Sequence, residues 1–119
     1  MAHIVVLDDV PDAGTMLQRI LAKKGHEVVT FTEEEDALSH ARSRDVDLVI
    51  LDIKLKKMSG IEVLREIKKI RPVVRVIMLT GYPTVDTARQ ALDLGADEYC
   101  VKPIDKDELE RKVGQVLAS

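Results

Sequence analysis

Five short apolar runs, at residues 3–7, 26–31, 47–51, 74–79 and 98–101, are separated by stretches with helical spacing. This alternation limits the fold more than any other feature of the chain. "HIVVL" (3–7) and the "LVIL" that ends the third run are unbroken apolar stretches, without the polar alternation of a half-exposed strand. Such runs suit strands covered on both faces, and strands alternating with helices form a parallel sheet with helices on each side.

The stretches between the runs carry helix start and stop signals. Pro11 opens the first; Met16, Leu17, Ile20 and Leu21 follow at helical spacing, and Gly25 closes it. Thr32 with Glu35 has the spacing of a capping box and predicts a helix to about Arg44. Ser59 with Glu62 opens a third helix that Pro72 stops; the fourth spans 84–95 and closes at Gly95. Asp105, capping with Glu108, opens a fifth that runs to about Leu117. The sum is an α/β chain, (βα)5 and doubly wound, with a five-stranded parallel sheet of order 2-1-3-4-5, a common order for such sheets. The five units use all 119 residues, so a single domain over 1–119 is expected.

Composition narrows the function classes. Apolar residues at 45% and charged residues at 33% suit a soluble globular chain. A net charge of −3 gives no reason to expect direct nucleic-acid contact, and no run is long enough to span a membrane. A lone cysteine, Cys100, excludes an internal disulfide and suits a reducing compartment, so a cytoplasmic location is expected.

Each of four strands ends on a residue with chemistry: Asp8 and Asp9 after the first, Asp52 after the third, Thr80 after the fourth and Lys102 after the fifth. In a parallel sheet all carboxyl ends share one edge, and order 2-1-3 makes the first and third strands neighbours. Asp8, Asp9 and Asp52 then converge, and three carboxylates together need a cation or lose ionisation. An all-oxygen set with room for water suits Mg2+. A metal beside a carboxylate, with a hydroxyl and an ammonium nearby, is a set for phosphoryl transfer through an aspartyl acyl phosphate. Taken singly, each position has a plainer reading: Asp8-Asp9 as a turn and helix cap, Thr80-Gly81 as a turn, Lys102-Pro103 as a solvated loop. Those readings weaken when all the positions fall on one edge.

"VVLDDV", "LVILDIKLKKMSGIEVL", "VIMLTGYPTVDTA" and "GADEYCVKPID" together resemble the receiver domain of two-component response regulators, in order and over nearly the whole chain. "TGYPTVDTA" is most similar to receivers of nitrogen-regulation-type transcription activators. The resemblance implies a flavodoxin-like receiver fold and a phosphorylation-dependent signalling switch, not an enzyme beyond its own phosphotransfer and slow dephosphorylation. It implies that Asp52 accepts a phosphoryl group from a sensor histidine kinase or phosphotransfer protein. Mg2+ would be bound by Asp9, Asp52 and the backbone carbonyl of Lys54, with Asp8 acting through water. Thr80 would turn toward the phosphoryl group and Tyr99 inward behind it, Lys102 would pair with the phosphoryl oxygens, and the Lys102–Pro103 bond would be cis. The signal would leave through the fourth helix, fifth strand and fifth helix, to a partner, an effector domain or a second copy in a homodimer. The first helix, with Thr15, Gln18 and Lys23, is expected to contribute to kinase choice.

Two departures stand out. Lys56 occupies a position where receivers of this pattern usually have proline, and Lys54 and Tyr82 lie where the family tunes dephosphorylation. The run Lys54, Lys56, Lys57 reads as a solvated loop, and "TEEED" (32–36) as helix N-terminal charge that suits the macrodipole. Cys100 reads as a small buried hydrophobe, and His3, His26 and His40 have no ligand spacing. Other functions fit less well. A phosphohydrolase with an aspartyl nucleophile typically needs a second acid where Lys54 stands. A nucleotide or flavin domain needs a glycine-rich loop in place of the acidic "DDVPDAG". A receiver that only docks would have no use for the intact set Asp9, Asp52, Thr80 and Lys102.

Overall fold

β-Branched and aliphatic residues place the strands where both faces are covered: β1 (His3–Leu7) and β3 (Leu48–Leu51) are buried at every residue. The computed structural model describes residues 1–119, in the order β1, α1 (Pro11–Ala22), β2 (Glu27–Phe31), α2 (Glu34–Ser43), β3, α3 (Gly60–Ile70), β4 (Arg75–Thr80), α4 (Val85–Asp93), β5 (Glu98–Val101) and α5 (Lys106–Ala118). All strand pairs are parallel and the sheet order is β2-β1-β3-β4-β5, as expected.

Side chains alternate across a strand, so each continuous apolar run feeds two cores. Val5, Leu7, Val49, Leu51, Val76 and Met78 face α2, α3 and α4, meeting Leu38, Leu64, Ile67 and Ala91. Ile4, Val6, Leu48, Ile50, Ile77 and Leu79 face α1 and α5, meeting Leu17, Leu21, Leu109 and Val113. Each fully buried aliphatic side chain contributes about 1.5–3 kcal/mol, and with few aromatics these two layers hold the sheet in place.

Three helix starts follow from their caps. Ser59 Oγ accepts the Glu62 N–H, the Asp105 carboxylate accepts the Glu108 N–H, and Thr84 Oγ1 accepts the Thr87 N–H. Gly25 and Gly95 follow α1 and α4 with φ of +90° and +96°, left-handed values that favour glycine. The second helix corrects the expectation. Thr32 does not cap it; the N-cap is Glu33, without a side-chain cap bond. Glu34, the first residue of the helix, instead turns its carboxylate to two N–H groups of a distant loop, described below. β2 and β3 each begin one residue later than expected, and the side chains of the residues before them, His26 and Asp47, accept the N–H groups of Ala2 and His3. No helix is long and apolar enough to cross a membrane.

Candidate functional site

The strand register builds the site. Leu7 pairs with Leu51, so Asp8 and Asp52 leave neighbouring strands side by side, and the Asp52 N–H donates to the Leu7 carbonyl at 3.1 Å. Thr80 pairs with Val101 at the ends of β4 and β5, and Lys102 follows. Carboxylate oxygens of Asp8, Asp9 and Asp52 lie within 4.8 Å of one another. Asp8 is 3% and Asp52 7% exposed, whereas Asp9 is half-buried.

Every oxygen on the two buried acids is engaged. Asp8 Oδ1 accepts the Val10 N–H at 2.9 Å, so the turn reading of this aspartate is also true, while its Oδ2 accepts from the Lys102 ammonium. Asp52 Oδ1 accepts the Ile53 and Lys54 N–H groups at 2.7 and 3.3 Å, and its Oδ2 accepts from Lys102 Nζ at 3.0 Å. Burial pushes the Lys102 ammonium toward losing its proton, but the hydrogen bonds and charges of Asp8 and Asp52 outweigh that and hold its pKa above the usual lysine value. Asp9 makes no hydrogen bond or ion pair. Three carboxylates therefore face one ammonium, and the excess negative charge sits on hard oxygen donors at a partly open rim. That donor set fits a hard divalent ion such as Mg2+.

Asp8, Asp9, Asp52 and Lys102 are thus brought together. Thr80 is fully buried, and its Oγ1 accepts the Tyr82 N–H at 3.0 Å rather than meeting the carboxylates. The Tyr99 hydroxyl bonds Thr87 Oγ1 at 2.8 Å and accepts the Thr84 N–H at 3.4 Å, tying β5 to the start of α4. The Lys54 ammonium lies 4.3 Å from the centre of the Tyr82 ring, a cation–π contact linking the β3–α3 and β4–α4 loops. The Lys102–Pro103 peptide is cis.

The β3–α3 loop folds back against the Asp52 backbone. Gly60 N–H donates to the Ile53 carbonyl at 2.6 Å, and a Cβ at Gly60 would run into the Asp52 carbonyl group, with the Ile53 Cα only 2.6 Å away. Lys56 pairs with Glu33 at 3.0 Å, so the basic run is partly engaged rather than freely solvated. Sequence reading missed Glu34. It stands among three consecutive glutamates that no local signal separates, and only its burial singles it out.

A family model described as the response regulator receiver domain matches residues 4–114. The transcriptional regulatory protein ZraR of Klebsiella oxytoca is 40% identical over 115 residues, covering 97% of this chain and 26% of that protein. The chain therefore spans about a quarter of the length of this relative. Among solved structures, a response regulator receiver domain protein (CheY-like) from Methanospirillum hungatei is 30% identical with a TM-score of 0.96, covering 99% of this chain and 94% of that one. NtrX from Brucella abortus, solved in complex with ATP, is 34% identical with a TM-score of 0.91, covering 98% of this chain and 27% of that one. The ZraR and NtrX likenesses agree with the nitrogen-regulation pattern read in "TGYPTVDTA".

Proposed function

The chain belongs to the response regulator receiver family, and on that premise we propose that Asp52 takes a phosphoryl group from a histidine kinase or phosphotransfer protein. The observation that carries this reading is the convergence of three carboxylates within 4.8 Å beside the Lys102 ammonium. One Asp52 oxygen attacks the phosphorus of a phosphohistidine; the O–P bond forms as the P–N bond breaks, and the imidazole nitrogen keeps the electron pair. The Ile53 and Lys54 N–H groups on Oδ1 and Lys102 on Oδ2 hold the carboxylate in one orientation for that attack. Asp8, Asp9, Asp52 and the Lys54 carbonyl would hold Mg2+, which would neutralise charge on the phosphoryl oxygens.

The switch follows from the bonds that must change. Lys102 gives up the Asp52 carboxylate, now an acyl phosphate, and pairs with the phosphoryl group. Turning Thr80 Oγ1 toward the phosphoryl group would loosen its hold on the Tyr82 N–H and let the β4–α4 loop move. Tyr99, bonded to Thr84 and Thr87, senses that movement at the start of α4. Exposed Val85, Leu92 and Val101 give the α4-β5-α5 face an apolar surface for a partner, an effector domain or a second copy.

Intact mass after incubation with acetyl phosphate, with and without Mg2+, tests the chemistry on the wild type and Asp52→Asn. One added phosphoryl group that requires both Mg2+ and Asp52 is expected. Equal modification of Asp52→Asn would reject Asp52 as the acceptor.

A further inference from the structure

Glu34, the first residue of α2, is 2% exposed, an unusual place for a carboxylate. Its Oε2 accepts two backbone N–H groups of the β3–α3 loop, from Lys57 at 2.5 Å and Met58 at 2.7 Å, while Oε1 is buried without a partner. The contact crosses from the second βα unit to the third. It meets a loop that leaves the phosphoacceptor, pairs Lys54 with Ser59 in an isolated antiparallel bridge, and is pinned at its far end by Gly60 on Ile53. Met58 precedes Ser59, so holding the Lys57–Met58 turn also holds Ser59 and, across the bridge, Lys54.

We infer that Glu34 is a positioning residue for the phosphoacceptor loop: its carboxylate clamps the Lys57–Met58 turn and thereby fixes the Lys54 backbone beside Asp52. The inference rests on the site chemistry proposed above. Lys56, immediately before the clamped turn, stands where receivers of this pattern usually have proline, and its own N–H makes no hydrogen bond. A proline there would fix φ and narrow the loop without sacrificing a backbone hydrogen bond, losing only the exposed ion pair of Lys56 with Glu33. In this chain two charge-assisted hydrogen bonds from Glu34 do that work instead. Burial by itself would push the Glu34 carboxyl up, yet the backbone N–H groups of Glu34 itself, Met58 and Lys57 and the Lys57 charge bring it below the ordinary glutamate value, so the ionised form is the one the loop recognises.

The test uses the whole chain as wild type, Glu34→Ala, Glu34→Gln and Glu34→Ala/Lys56→Pro. Mg2+ affinity is read by calorimetry, the acetyl phosphate reaction by intact mass at saturating Mg2+, and the Lys57 and Met58 amides by NMR hydrogen exchange. In Glu34→Ala both amides are expected to lose protection and Mg2+ affinity to fall about 5–10-fold, with a smaller change in the rate at saturating Mg2+. Glu34→Gln, whose amide oxygen can still accept, falls between, and Lys56→Pro restores affinity to the Glu34→Ala chain. Purely structural damage would not be repaired by a substitution at Lys56. Unchanged Mg2+ affinity in a folded Glu34→Ala or Glu34→Gln, or no recovery in the double variant, overturns the inference while leaving the wild-type chemistry intact. A wild type that neither binds Mg2+ nor takes a phosphoryl group overturns both.

Discussion

The two edges of the sheet handle charge in opposite ways. At the amino edge Asp47, just before β3, accepts the His3 N–H at 2.8 Å and returns its own N–H to the His3 carbonyl at 2.9 Å. Asp97, just before β5, repeats the device on Val76, accepting at 2.9 Å and donating at 2.8 Å. Glu27 meets Arg44 at 3.2 Å. Each of these acids answers a donor, and the edge is closed. At the carboxyl edge three acids face one ammonium and Asp9 answers nothing. An edge built only for stability has no reason to carry that excess, because unneutralised like charges raise the energy of the folded state. The difference separates acids that hold the sheet together from acids whose charge the protein answers only in part.

The strongest way to break this comparison is to remove the single ammonium. Lys102→Ala is expected to slow phosphorylation by acetyl phosphate roughly 10²-fold, the usual cost of losing one preorganised charge-stabilising donor. It also leaves Asp8 and Asp52 uncompensated, so its melting temperature should fall without Mg2+ and recover when Mg2+ is added. A melting temperature indifferent to Mg2+ would mean the acids do not gather a cation.

Asp9→Asn sharpens the contrast from the other side. Removing one of the three like charges should raise stability without metal by about 0.5–1 kcal/mol, the scale of an exposed charge interaction, while weakening Mg2+ binding about 10-fold, or about 1.4 kcal/mol. Asp47→Ala at the opposite edge should lower stability by about 1 kcal/mol, the net worth of one hydrogen bond, and leave Mg2+ binding and phosphorylation unchanged. Denaturant melts read the stabilities, calorimetry the Mg2+ binding, and intact mass after acetyl phosphate the phosphorylation. Two variants that shift stability in the same direction would erase the distinction between the edges.

The smallest effect concerns pH at the amino edge. His40 Nε2 lies 2.8 Å from His3 Nε2, and burial first, then the charges of His3 and Arg44, lower the His40 pKa below the ordinary 6.5. The unfolded chain then binds the extra proton first. Stability linked to His40 is therefore complete above 6.5 and declines as pH falls from there toward the lower folded value. A melting-temperature profile from about pH 7.5 to 5.5 should slope downward in the wild type and flatten in His40→Gln. A wild-type profile no steeper than that of the variant would remove His40 as the cause.

Much of the fold was legible because its signals are local or periodic. The unbroken β-branched runs announced buried parallel strands, and Ser59, Asp105 and the two closing glycines marked their helix ends. Thr32 with Glu35 carried the same spacing as Ser59 with Glu62 and failed as a cap. The contact made at this helix start, Glu34 to Lys57 and Met58, spans 23 and 24 residues, which no window along the chain can see. The site divides likewise. Asp8, Asp9, Asp52 and Lys102 were legible because a parallel sheet brings every strand's carboxyl end to one edge. Thr80 and Tyr99 were assigned to a common switch, yet their hydroxyls are held on Tyr82, Thr84 and Thr87, away from the acids.

What the chain's own order of residues determined was the number of units, the sheet and the edge on which the acids gather, since strand periodicity and parallel topology fix which ends meet. What only the tertiary structure decided was the use of each side chain once there. It decided that Lys102 spans Asp8 and Asp52 while Asp9 stays free, that Lys54 lies over Tyr82, and that one glutamate of three is buried under a distant loop. These outcomes depend on distances between units, and hydrogen bonds and ion pairs act only over those short distances.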